Sequence, residues 1–315
     1  MSKAICVGYL AKVSASNVNA SHTEGNVIVA KKVTLPDGSA LPYISGQAIR
    51  RMLRDRLQDL GYPLSEPHAE ISGQEVKPPV RPWDFIDEDL FGYMDATGGK
   101  RRTSPTRVSA AVGLFPFQGD RDLGTRSFEH FQQEVEPEVA QRGGNMFETE
   151  IYANLFKGTL LIELDRVGIF PTRETKEKQD RSLPVEERRA RMQALLEALN
   201  LLWGGGRTAR LLSDLSPRFF AYCRLGVKHP VFIEALDAEY EEGKYLLNLN
   251  SLCNALEKFT PHRKKTLFGL EAGVFGNEDE ILERLSAYGE VLPVHEAITE
   301  AKGDVNTLWQ SESSV

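Results

Sequence analysis

The chain has 315 residues and an apolar fraction of 41%, an ordinary composition for a water-soluble folded protein with room for one elaborate domain or two smaller ones. Its longest apolar runs are too short to span a bilayer. The net charge of −7 weighs against a nucleic-acid partner, but residues 231–315 hold 7 Lys or Arg against 16 Asp or Glu, which leaves 31 against 29 in residues 1–230, so a basic groove in the first part is compatible with an acidic whole.

The opening Met1-Ser2-Lys3-Ala4-Ile5-Cys6 has neither the apolar core nor the small-residue cleavage site of a signal peptide. From Ala4 to Val13, Ile5, Val7, Tyr9 and Ala11 alternate with Cys6, Gly8, Leu10 and Lys12, which predicts a first strand. A polar loop, Ser14 to Asn19, follows it. Segments 26–34 and 41–44 flank Pro36-Asp37-Gly38 and predict a hairpin. A helix then starts at Ser45-Gly46-Gln47, with Ser45 as its N-cap and Gly61 just past its end. Ile49, Met52, Leu53, Leu57 and Leu60 form its inward face. Gln47, Arg50, Arg51 and Arg54 fall at i, i+3, i+4 and i+7 and form a second stripe roughly opposite. Three guanidiniums beside a helix N-terminus suit a run of phosphates; a solvated helix surface is the alternative.

Residues 61–105 are interrupted by Pro63, Pro67, Pro78, Pro79 and Pro82 and read as an insertion holding at most a short helix within 83–94. Its acidic cluster, Asp84, Asp87, Glu88 and Asp89, fits an exposed surface. Lys100, Arg101, Arg102 and Arg107 then put four cations in eight residues at the start of a second core strand over 107–117, where they suit phosphates or solvent equally. Residues 118–150 are polar and Gly-containing. Within them Met146 and Phe147 follow Gly143-Gly144, and such side chains either wedge between bases or bury locally. Residues 150–156 alternate again, and 158–167 predict a third core strand. A helix from Val185 to about Leu202 and a fourth strand over 219–225 complete the pattern.

Between that helix and strand lies Gly204-Gly205-Gly206-Arg207-Thr208-Ala209-Arg210. Three glycines let backbone amides approach a ligand, and two arginines add charge; a helix cap with a flexible turn is the alternative. The Lys-Ser/Thr pair of a P-loop is absent. The six histidines are dispersed, and His22 beside Ser21 and Glu24 fits a polar loop. No HExxH or GxSxG occurs, so no catalytic centre, metal or cofactor is expected. Cys6, Cys223 and Cys253 are odd in number and scattered, which predicts reduced thiols in a cytoplasmic protein. With the insertions removed, the order strand, helix, strand, strand, helix, strand predicts an α+β fold of the split βαβ, ferredoxin-like kind, one sheet face packed by helices and the other left for ligands.

Five segments, in this order along one chain, resemble the DevR-type backbone subunit of type I CRISPR effector complexes (Cascade), a branch of the repeat-associated RNA-binding superfamily. They are Val13 to Asn19, Tyr43 to Arg51, Arg102 to Val108, Asn145 to Gly158 and Gly204 to Arg210. The resemblance implies a ferredoxin-like (modified RRM) palm over residues 1–226, with helical fingers inserted at 61–105 and a thumb hairpin at 118–157. Residues 227–315 would be an acidic, mainly helical extension.

It further implies a non-catalytic protein that forms a helical filament along CRISPR RNA, displays it for pairing with target DNA, and sits with other Cascade subunits in antiviral defence. Gln47, Arg50, Arg51 and Arg54 would hold guide phosphates, as would Arg102 and Arg107. Asn17 and Asn19 would hydrogen-bond ribose or phosphate. Arg207 and Arg210, with the amides of Gly205 and Gly206, would cradle the next phosphates, and Met146 and Phe147 would be the thumb wedge. Related type III subunits cleave RNA with a loop aspartate, whereas the loop here offers Asn17 and Asn19 and no Asp, which predicts no nuclease activity. A ribonuclease of the same superfamily and a DNA-binding transcriptional autoregulator are the alternatives.

Overall fold

The computed structural model of the protein describes residues 2–66, 68–69, 76–126, 145–204 and 210–309. Its frame is one twelve-stranded sheet. The strands are β1 (Ala4–Ser16), β2 (Ala20–Glu24), β3 (Val27–Ala30), β4 (Lys32–Thr34), β5 (Ala40–Ile44), β6 (Thr106–Val108), β7 (Ala111–Gly113), β8 (Asp120–Arg126), β9 (Asn145–Glu163), β10 (Phe219–Leu225), β11 (Arg263–Leu270) and β12 (Glu290–Pro293). The α-helices among the described residues are α1 (Gly46–Asp59), α2 (Ile86–Phe91), α3 (Val185–Asn200), α4 (Leu249–Lys258), α5 (Glu278–Ser286) and α6 (Val294–Val305).

The main path through the sheet runs β12-β11-β10-β1-β9-β7-β5-β4. β1 is central: it pairs antiparallel with β9, from Ala4 opposite Glu163 to Val13 opposite Asn154, and with β10, from Ala4 opposite Leu225 to Leu10 opposite Phe219. β6 and β7 both pair antiparallel with β9. The expected strand over 107–117 is thus two short strands. The segments expected at 150–156 and 158–167 are one strand of 19 residues, whose outer part also pairs with β8 and β3.

The alternation in β1 sorts its side chains onto two cores. Ile5, Val7, Tyr9, Ala11 and Val13 pack with inward residues of α1, α3 and α6. Ala4, Cys6 and Leu10 join a second core with Phe232, Leu236 and residues of α4 and α5. Every residue from Ala4 to Ala11 is buried, the mark of a strand covered on both faces. The sheet face expected to be left for ligands is therefore closed, over β1 and β10, by residues that follow 230. The fit is tight: a Cβ on Gly8 would lie 2.5 Å from the Phe232 Cβ. The acidic C-terminal part does more than append helices, since β11 and β12 extend the sheet itself.

The acidic cluster of the 61–105 insertion is the second correction. Asp87, Glu88 and Asp89 of α2 are buried, each bound to a different segment. Asp87 accepts from the Ser65 N–H at 2.9 Å and its hydroxyl at 2.7 Å. Glu88 accepts from the N–H groups of Val80 and Arg81. Asp89 takes the N–H of Gly168 at 3.1 Å and the guanidiniums of Arg102 and Arg191. A proline-broken segment with few apolar residues is thus tied down by carboxylates, because buried acids persist only when partnered.

Candidate nucleic-acid interface

Three contacts set where α1 begins. Ser45 caps the helix, its side chain accepting from the Ala48 N–H at 3.2 Å. Asn19 Oδ1 accepts from the Ser45 N–H at 2.9 Å, so the loop after β1 holds the helix start. A Cβ on Gly46 would lie 2.5 Å from the Val108 carbonyl oxygen, so only glycine lets α1 abut the link between β6 and β7. Burial of Ile49, Met52, Leu53 and Leu57 fixes its rotation. Gln47, Arg50 and Arg54 then line a groove of about 430 Å³ whose other wall is residues 91–93 and 102–104.

The arginine stripe divides by environment. Arg50 makes no ion pair or hydrogen bond among the described residues. Arg54 is half-buried, its Nε 3.5 Å from Asp87 Oδ2 and its guanidinium 5.3 Å from the Phe91 ring centre. Burial lowers its pKa and Asp87 partly restores it; an arginine remains charged throughout. Arg51 lies outside the groove, exposed, with Asp55 one turn on at 3.1 Å, a surface pair that adds little stability.

Arg102 is a correction. Its side chain has no exposure, and all five N–H donors are engaged. Nε donates to the Asp89 carbonyl oxygen, Nη1 to the Ile169 carbonyl oxygen and Glu174, and Nη2 to Asp89 Oδ1 and the Arg166 carbonyl oxygen. A guanidinium has five such donors, so none is left for a phosphate. Asn17 is corrected likewise: it is 2% exposed, and Nδ2 donates to the Glu150 carbonyl oxygen at 2.9 Å, tying the loop to β9. Asn19 has the helix-start role given above. Arg107 is exposed and paired with Glu163 at 2.6 Å. Burial pushes the Glu163 carboxyl up, but hydrogen bonds from Lys228 and Arg107 outweigh it and hold the group below the usual range.

The β8–β9 hairpin separates Met146 from Phe147. Phe147 lies opposite Gly124, half-buried, with the Arg210 guanidinium 4.7 Å from its ring centre; Arg210 also pairs with Asp122. Met146 is 61% exposed, as is Leu123 at 59%. Leu123 faces Glu148 in the ladder and so shares a face with Met146. Gly205, Gly206 and Arg207 lie outside the described residues. Sequence reasoning missed Leu123, although an apolar residue inside Asp120-Arg121-Asp122-Leu123 is a visible anomaly. It also missed the pairing of Asp87 with Arg54. Among the described residues no group of three or more His, Cys, Asp or Glu is placed to hold a metal ion, and no helix is long and apolar enough to cross a membrane.

Comparison with known proteins places the chain among CRISPR-associated proteins. Residues 83–240, half of its length, match the family described as "CRISPR-associated negative auto-regulator DevR/Csa2", and the chain belongs to that family. A relative from Myxococcus xanthus (strain DK1622), described as "CRISPR-associated protein Cas7/Cst2/DevR", is 25% identical over 177 residues, which are 50% of this chain and 56% of the relative. The match thus spans little more than half of that relative's length. Two solved structures share the fold. One is described as "CRISPR RNA-guided surveillance complex", with TM-score 0.61, 16% identity and coverage of 96% of this chain and 99% of that one. The other is described as "CRISPR RNA-guided surveillance complex, pre-nicking", with TM-score 0.64, 14% identity and coverage of 96% and 100%.

Proposed function

We propose that the protein is a non-catalytic backbone subunit of an RNA-guided surveillance complex. It holds CRISPR RNA along the α1 groove, stacks beside copies of itself and other subunits, and displays the guide for pairing with target DNA. The observation that carries this reading is the groove: Gln47, Arg50 and Arg54 line one side of it, two of them cationic and one of those without a side-chain partner among the described residues. Base pairing supplies sequence recognition in such complexes, so the protein needs backbone contacts and few base-edge contacts.

The strand order β10-β1-β9-β7, antiparallel at every step, supports a ferredoxin-like palm within residues 1–226, because it is the order that two interleaved βαβ units produce. The insertion at 61–105 serves as the fingers and the β8–β9 hairpin as the thumb. The loop after β1 carries Asn17 and Asn19 and no aspartate, which supports a role without cleavage. Cys6 and Cys223 face each other across β1 and β10 and are free, in keeping with a reducing, cytoplasmic setting.

The test is purification of the full chain from cells expressing a CRISPR array, followed by sequencing of the bound RNA. Guides of defined repeat and spacer content are expected, with less RNA recovered from Arg50→Ala. Protein that carries no RNA but binds its own promoter DNA would favour the autoregulator instead, and cleavage of precursor RNA in the presence of metal would favour a ribonuclease.

A further inference from the structure

We propose that a second cleft, lined by Arg101, Arg107, Arg166 and Arg173, binds the phosphodiester backbone of a nucleic-acid strand that continues from the α1 groove across Thr103. The proposal rests on the groove's being a nucleic-acid track. The cleft measures about 510 Å³ and is completed by Thr103 and Glu174. Thr103 also lines the α1 groove, so one strand can pass from one site to the other while staying on the surface. The cleft has no aromatic lining on which a base could stack, so its chemistry fits the backbone and leaves the bases outside.

Its charge is unbalanced by construction. Glu174, the carboxylate in the lining, accepts from buried Arg102 at 2.6 Å and from Arg166 at 3.3 Å. That charge is largely spent on Arg102, which has no donor left to offer the cleft. Glu163 accepts from Arg107 at 2.6 Å and from Lys228 at 2.9 Å, and Arg166 stands 3.9 Å from it. Arg101 and Arg173 are both exposed and have no ion pair or hydrogen bond among the described residues. Two unpaired guanidiniums facing one cleft repel each other, and an anion between them turns that repulsion into two charge-assisted contacts. Planar five-donor groups are the side chains best matched to phosphate oxygens. A space many times the roughly 30 Å³ share of one water accommodates a stretch of backbone.

The phosphodiester can belong to the guide or to a DNA strand, and the test separates them. Full-length protein, free and loaded with guide, is titrated with labelled RNA and DNA of one sequence over a range of salt. Arg101→Ala with Arg173→Ala removes neither an internal contact nor a buried group, and an unchanged melting temperature verifies the fold. The double variant is expected to bind about tenfold more weakly, with a log–log salt slope shallower by about 1.4 for two lost contacts to a single strand. Arg101→Glu with Arg173→Glu should weaken binding further, and the double lysine variant should recover most of it. Loss confined to RNA assigns the cleft to the guide; loss of DNA binding by guide-loaded protein assigns it to a DNA strand. Unchanged affinity and slope for both strands in the alanine and glutamate variants overturns the cleft. If Arg50→Ala still weakens binding in that case, the groove stands without it. If Arg50→Ala has no effect while the cleft variants do, the cleft binds a strand that does not run through the groove, and the shared track is overturned.

Discussion

Arg102 and Asp89 are sealed against each other: Nη2 lies 2.7 Å from Oδ1, and neither side chain has any exposure. Asp89 also receives Arg191 at 3.0 Å, and Arg102 also holds Glu174 at 2.6 Å. Five separate segments meet there: the short ladder of Tyr93–Asp95 with Lys100–Arg102, helix α2, the turn after β9, the next turn, which carries Glu174, and helix α3. A buried ion network of this kind contributes less to net stability than its short distances imply, because desolvating the charges offsets their attraction. Its effect is to fix which segments meet, and so to place one wall of the groove.

Removing one member should therefore be costly. Arg102→Leu leaves Asp89 and Glu174 buried with a missing partner and should lower the unfolding free energy by about 3–5 kcal/mol. Arg101→Leu, one residue away but exposed, should change it by no more than about 0.5 kcal/mol. Urea unfolding of the two variants makes the comparison, and equal effects would show that Arg102 is not held as described.

That pair of neighbours also shows what the amino-acid pattern can and cannot convey. Lys100, Arg101 and Arg102 look alike in a sequence, and which of them points inward depends on a three-residue ladder with Tyr93–Asp95 that no local periodicity specifies. The α1 stripe was legible because fourteen residues of helix give the period time to declare itself. So were β1, α3 and β10, where apolar side chains recur over whole elements. The covering of the second sheet face was written in β1, since Cys6 and Leu10 are as apolar as Ile5 and Val7; alternation of facing was visible but alternation of polarity was absent. The burial of Asp87, Glu88 and Asp89 was hidden, because acids on a short helix between prolines have the same composition whether solvent or distant N–H groups partner them.

Glu88 predicts a pH dependence. Burial raises its pKa to about 7, against the opposing hydrogen bonds from Arg81 and Val80. A carboxyl whose folded-state pKa exceeds its unfolded value of 4.5 binds protons more tightly when folded. Its contribution to stability is then full below about pH 4.5 and is lost as pH rises toward 7. Glu88→Gln keeps an acceptor and removes the titration. Melting temperatures across pH 4.5 to 7.5 should fall less steeply with rising pH in the variant than in the parent, and identical profiles would rule Glu88 out as the titrating group.

Asn19 predicts a coupling between loop and helix. Its Oδ1 is the acceptor for the Ser45 N–H, and Ser45 in turn caps α1. Asn19→Ala should cost about 1–2 kcal/mol, within the range for losing a capping or buried hydrogen bond, with faster amide exchange in the first turn of α1. Asn19→Asp keeps an acceptor and should recover much of the loss. If Asn19 acts only by touching RNA, its alanine variant will unfold like the parent.

The β8–β9 hairpin has two faces of opposite chemistry. On one, Arg210 pairs with Asp122, and its guanidinium lies 4.7 Å from the Phe147 ring centre, beside Gly124, where a Cβ would lie 2.6 Å from Arg210 Nη1. Phe147 on this face is half-buried, and Phe147→Ala should lower stability by about 1 kcal/mol through the lost cation–π contact and apolar area. On the other, Leu123 and Met146 stand more than half exposed in an otherwise charged hairpin, where apolar side chains gain nothing from water and are available to wedge against an unstacked base. Leu123→Ser with Met146→Ser should leave unfolding within about 0.5 kcal/mol of the parent and leave RNA recovery near normal. The change should appear in the bound RNA itself: chemical probing is expected to show regularly spaced reactive nucleotides in the parent, one per β8–β9 hairpin, and a flattened pattern in the double serine variant. A pattern that survives the serine changes but disappears in Phe147→Ala would transfer the wedge to the opposite face.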